Sequence, residues 1–68
     1  MITWAKVNST AIQQIGYEVA TRRMYVDFHD STPQYTFCGV PEEVFRQFVN
    51  ARSVGQFYHA FIKDRYQC

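Results

Sequence analysis

The sequence is poor in the features that most membrane-bound and catalytic chains depend on. No apolar run approaches the roughly 20 residues a bilayer-spanning helix needs. Residues 1–10 carry neither the basic nor the apolar region of a secretory signal. There is no repeat, no low-complexity tract and no linker, and 68 residues hold only three Gly and two Pro. Residues 1–68 therefore read as one domain, expected in the cytoplasm. Cys38 and Cys68 are the two cysteines. Two are no disulfide framework, and a reducing compartment is expected to keep them as thiols. Cys38 then reads as a small apolar filler of a strand and Cys68 as an accessible thiol.

Charge of one sign is also missing. Seven Lys and Arg face six Asp and Glu, a net charge of +1, so any hold on a polyanion has to come from a local basic patch. The potential metal ligands His29, Asp30, Cys38, His59, Asp64 and Cys68 show none of the spacings that bring donors to one face, and no metal or cofactor is expected. Ser9, Ser31, Ser53, His29 and His59 form no nucleophile elbow, and no phosphate loop is present. A chain this short also has little interior in which to bury and tune a titrating group. It is read as a non-enzyme.

Apolar and aromatic residues are plentiful: 47% of the chain is hydrophobic, with six Phe, five Tyr and one Trp, too apolar for a disordered segment. The first half alternates with period two. Ile15, Tyr17 and Val19 face one way and Gly16 and Glu18 the other; Met24, Val26 and Phe28 oppose Tyr25, Asp27 and His29. Residues 20–23 make a short polar connection and residues 30–33 a second break. A strand follows over Gln34–Cys38, and Ile2–Val7 can add a fourth at one edge.

After Gly39 the period lengthens. Pro41 suits the start of a helix, Glu42 and Glu43 suit its positive end, and Val44, Phe45, Phe48 and Val49 share a face to about Asn50. Ser53 followed by Gln56 resembles a capping box for a second helix. Its apolar positions Phe57, Phe61 and Ile62 extend it to about Tyr66, and Gly55 weakens its first turn. The expectation is an α+β fold: an antiparallel meander of three to four strands packed against a C-terminal helical hairpin.

For function, the rings offer more than the polar residues. Tyr25 and Tyr35 are expected on neighbouring strands, where exposed rings can stack on unpaired bases for ~1 to 3 kcal/mol each. Arg22 and Arg23 at one hairpin end, with Arg52, Lys63 and Arg65 near the second helix, can meet phosphates. The competing explanation for any ring is the core, and Asp27 shares the face of Tyr25. A second reading is a protein-binding surface built on Trp4, Tyr58 and Tyr66, since Trp and Tyr dominate interface hot spots and a strand at Trp4 can pair with a partner's strand.

The segments Tyr35-Thr36-Phe37-Cys38-Gly39-Val40-Pro41, Ala51-Arg52-Ser53-Val54-Gly55 and Ile62-Lys63-Asp64-Arg65-Tyr66 resemble the KTSC domain. Ser9 with Ile12, Ile15, Gly16 and Tyr17 matches its opening, and Phe28 its following strand. The family is named for a segment of some lysyl-tRNA synthetases and includes small free-standing bacterial and phage proteins. Phe37 stands where the pattern usually has a second Tyr, so a role for that hydroxyl is not carried over, whereas Tyr35, Gly39, Pro41, Ser53, Gly55 and Tyr66 match. The resemblance implies a non-catalytic binding module with RNA, tRNA in particular, as its leading partner. The alternative is a host or cellular protein.

Overall fold

A computed structural model describes residues 1–30 and 32–68; Ser31, in the expected second break, lies outside the described residues. Four strands, β1 (Thr3–Lys6), β2 (Ile12–Glu18), β3 (Arg23–Phe28) and β4 (Tyr35–Phe37), form one antiparallel sheet in chain order. The period-two pattern sets its two faces. Ile15 and Tyr17 pair with Val26 and Met24, and all four are buried on one side. Ile12 is buried on that side too, although it lies an odd three residues before Ile15. The register shift between Ile12 and Gln14 makes this possible, because one extra residue in a bulge restores the inward direction.

Val19 departs from the alternation. It is 61% exposed, because β2 ends at Glu18 and the chain turns away before Val19 can reach the core. Arg22 takes a positive φ of 58° in that turn, and its carbonyl accepts the N–H of Val40 at 2.9 Å. The β2–β3 turn is thereby tied to the start of the helical layer.

Gly39, at φ 67°, makes the bend from sheet to helix. Helix α1 (Glu42–Val49) follows, with Pro41 extended at its N-cap and Glu42 and Glu43 in its first turn. Phe45 and Phe48 are buried beneath it. Helix α2 (Val54–Phe57) starts where Ser53 Oγ accepts the Gln56 N–H at 3.3 Å, the expected cap. It runs directly into a π-helical segment, Tyr58–Ile62, closed by the Lys63 N–H on the Tyr58 carbonyl at 2.8 Å. The expected helix to Tyr66 is thus too long by four residues. Lys63 is extended and Asp64 takes φ 63°, which turns the chain back toward β4.

The buried stripe of this second helix is Val54, Tyr58 and Ile62, a spacing of four that a π turn keeps on one side. Phe61, expected inward, is 53% exposed and instead rests its ring on Phe57 at 4.9 Å.

The returning segment, residues 63–68, lies along the outer edge of β4. The Cys38 N–H donates to the Tyr66 carbonyl at 2.8 Å, and Cys38 is disulfide-bonded to Cys68, with Cα atoms 4.9 Å apart. This corrects the expectation of two free thiols. Thirty residues separate the cysteines in sequence, but the meander and the reversal at Asp64 bring them together. No sequence pattern of two cysteines specifies such a meeting.

Candidate functional site

Four rings meet where the helical layer ends over β4. Phe28 and Tyr35 lie 5.3 Å apart, Tyr35 and Phe37 6.4 Å, Phe37 and Tyr58 6.2 Å, and Tyr58 and Phe28 5.6 Å. All four contacts are edge-to-face, the arrangement the ring quadrupole favours, and they close into a cycle. Inward-facing positions of β3 and β4 supply three members and the π-helical segment the fourth. Phe37 and Tyr58 are buried, whereas Tyr35 is 45% exposed and presents the open side of the cycle.

Two hollows of about 360 and 270 Å³ flank this ring, and Tyr35, Tyr58 and Lys63 line both. Phe37, Asp64 and Gln67 contribute to the first; Phe28, Asp30 and His59 contribute to the second. The groove therefore offers an exposed ring face, one cation and two carboxylates. Burial pushes the Tyr58 hydroxyl above the usual tyrosine range, and the neighbouring Tyr35 and Asp64 push it the same way. Asp30 is held below the ordinary carboxylate range by its hydrogen bonds to Thr32, whose N–H donates to Oδ1 at 2.8 Å.

On the opposite face of the sheet, Trp4, Gly16, Tyr25 and Thr36 form one row across all four strands. The Trp4 ring, 43% exposed, lies over Gly16 and meets Tyr25 at 6.2 Å. Asp27, on the same face, accepts Gln14 Nε2 and Gln34 Nε2, each at 2.7 Å. Its carboxylate is thereby committed to one bond from β2 and one from the residue before β4, beside the row.

The sequence-derived candidates are distributed unevenly over this structure. Tyr35 and Lys63 come together in the groove. Tyr25, expected beside Tyr35 on one open face, lies on the other side of the sheet, because Tyr35 pairs in register with Val26 and Tyr25 with Thr36. Arg22 and Arg23 stand at the β2–β3 turn, Arg52 lines a separate hollow of about 300 Å³ with Phe57 and Phe61, and Arg65 sits in the turn after Asp64.

Of the second candidate set, Trp4 is exposed and Tyr66 half-buried, but Tyr58 is only 6% exposed. Its placement on a surface is corrected: with α2 cut short, Tyr58 faces the sheet and stacks on Phe48 at 6.4 Å. The four-residue spacing of Val54, Tyr58 and Ile62 is the signal that marks it as core. Phe28 and the Trp4–Gly16 contact were missed as site features, since only the register reveals them. Among the described residues, no group of three or more His, Cys, Asp or Glu is arranged to hold a metal ion, and no helix is long and apolar enough to cross a membrane.

A four-stranded meander closed by a helical hairpin, with a ring-lined groove at their junction, defines a small α+β module. Its relatives make the class specific. The KTSC domain family model matches residues 8–66, and the chain belongs to this family. The crystal structure of a KTSC domain protein from Yersinia pestis superposes with a TM-score of 0.91 at 31% identity, over 100% of this chain and 94% of that one. A lysine–tRNA ligase of Trichormus variabilis is 34% identical over 62 residues, which is 91% of this chain and 11% of the ligase. The chain thus spans about a ninth of that relative's length.

Proposed function

We propose that this KTSC domain, residues 1–68 acting as one unit, is a binding module without catalysis that takes an unpaired stretch of RNA, tRNA included, in the groove at β4. The observation that carries this reading is that Tyr35 and Lys63 line the same two hollows, one supplying an exposed ring face and the other a cation. A base stacks on Tyr35 and its phosphate meets Lys63, while Asp30 and Asp64 accept from exocyclic base amines. Arg65, two residues from Lys63, continues the phosphate track. Arg22, Arg23 and Arg52 serve a longer strand that passes around the domain, and Tyr25 offers a second ring beside Trp4 on the far face. The match to part of a tRNA ligase supports the choice of RNA.

Fluorescence anisotropy with labelled single-stranded RNA and with tRNA tests the reading. Log Kd should rise linearly with log salt, with a slope of roughly 0.7 per neutralised phosphate. Tyr35→Ala should weaken binding by about 5- to 100-fold, the worth of one stacked base. Salt-independent binding, or none at about millimolar protein, would remove RNA from consideration.

A second reading rests on a different observation. The outer edge of β1 is uncovered among the described residues and carries Trp4 beside it, so a host or cellular protein could add a strand there. Tyr66, held in the segment along β4, lies at the opposite edge, and Tyr58 is inside the core; Trp4 alone anchors this surface. Stoichiometric retention of a protein after nuclease treatment, lost in Trp4→Ala, would favour it over RNA.

A further inference from the structure

Residues 63–68 form a strap that owes its position to very few contacts. The strap contains no regular element; among the described residues one backbone hydrogen bond, Cys38 N–H to the Tyr66 carbonyl, joins it to the residue after β4, and half-buried Tyr66 is the strap side chain that packs against the core. The covalent Cys38–Cys68 bond is its firmest tie. Yet the strap supplies Lys63, Asp64 and Gln67 to the larger hollow and covers the outer edge of β4. By contrast, the sheet and α1 are held by buried residues such as Ile15, Met24, Val26 and Phe48, none of which the strap carries. Segments with few buried contacts open at little cost while the rest stays folded.

The two sulfurs differ in access: Cys68 is exposed and Cys38 half-buried. We propose that Cys68 Sγ is a thiol-exchange site, and that opening the Cys38–Cys68 bond releases the strap from β4 without unfolding the sheet. An incoming thiolate attacks Cys68 Sγ, a mixed disulfide forms there, and Cys38 leaves as a thiolate and takes up a proton. When the attacking reagent is a dithiol, its second thiol displaces Cys68. The protein then gains two electrons and two protons, and the reagent ends as a disulfide. Release carries Gln67 away from the groove and loosens the turn that holds Lys63. The expected loss of RNA affinity rests on the function proposed above; the exchange site and the release do not.

The test uses the full chain in three forms: oxidised, reduced with dithiothreitol, and Cys68→Ser without reductant. In the oxidised form, brief treatment with glutathione followed by peptide mass mapping should place the adduct on Cys68; an adduct on Cys38 overturns the assignment. Amide exchange read by NMR should show the Cys38 N–H losing at least about tenfold protection in the reduced and Cys68→Ser forms, the scale of one forfeited hydrogen bond. Met24 and Val26 should keep native shifts and slow exchange. Unchanged protection at Cys38, or loss of the Met24 and Val26 shifts with it, overturns local release. RNA held equally by oxidised and opened forms overturns the coupling to the groove. If neither form binds RNA although the strap opens, the exchange site stands and the RNA reading alone fails.

Discussion

The indole of Trp4 occupies the space that a side chain at Gly16 would need. A Cβ built on Gly16 would stand 2.7 to 2.9 Å from three carbons of that ring. Trp4 and Gly16 are cross-strand partners in the β1–β2 ladder, so the ring lies flat across its neighbour rather than standing off the sheet. The absence of a side chain at one position is what seats the single Trp of the chain.

Gly16→Ala should therefore displace the indole instead of breaking the sheet, because Trp4 sits on an edge strand and can swing outward. The expected results are a red shift of tryptophan emission and a stability loss of about 1 kcal/mol, the scale of a cross-strand pair. Unchanged emission would mean that the ring does not rest on Gly16.

Tyr17 donates its hydroxyl to the Val40 carbonyl at 2.6 Å, and its ring stacks on Phe45 at 5.0 Å. Tyr17→Phe keeps the stack and leaves a buried acceptor without its donor. Urea unfolding should show a loss of about 1 to 3 kcal/mol with an unchanged m-value. A neutral outcome would show that another donor reaches Val40.

Gly39 has open space around its missing side chain but a φ of 67°. Gly39→Ala should cost roughly 1 kcal/mol from backbone strain alone. Gly39→Asn should cost less, because Asn tolerates this region better. Equal losses for both variants would point to packing rather than to the dihedral.

Tyr17 and Tyr58 both have hydroxyls held above the ordinary value of 10.0, chiefly by burial. As pH rises past about 10, the unfolded chain releases these protons while the folded chain retains them. The unfolded state then binds fewer protons, so folding stability falls with rising pH in that window. Denaturation midpoints measured from pH 8 to 11 should drop above pH 10, and Tyr17→Phe should flatten part of the drop. A midpoint that stays level would contradict the burial of these hydroxyls.

Much of the fold was legible in the sequence, because one-sided burial writes itself into spacing. Met24, Val26 and Phe28 against Tyr25 and Asp27 located β3 and its two faces, and Gly39, Pro41, Glu42 and Glu43 located the turn into α1. What escaped depends on distant geometry. The bulge after Ile12 is invisible until β3 is in place, and the register that sends Tyr25 and Tyr35 to opposite faces is set by where β4 begins. The end of the second helix was hidden because residues 63–66 have ordinary helical composition, and the reversal at Asp64 that returns them toward Cys38 shows only in the folded chain. Within the candidate site, Tyr35 and Lys63 were found as residue types suited to stacking and phosphate contact. Their meeting, and the enclosure of Tyr58 beside them, follow from the reversal at Asp64.

The two margins of the sheet are unlike: beside β4 the last residues of the chain are tied to Cys38 and bring the Cys68 sulfur to Thr36, whereas β1 has no such neighbour among the described residues. A protein with two bare margins can polymerise without end, each copy docking on the last. Among the described residues this chain leaves β1 as the margin on which a further strand can dock. Guarding the other margin thus takes away one of the two docking edges that open-ended growth requires.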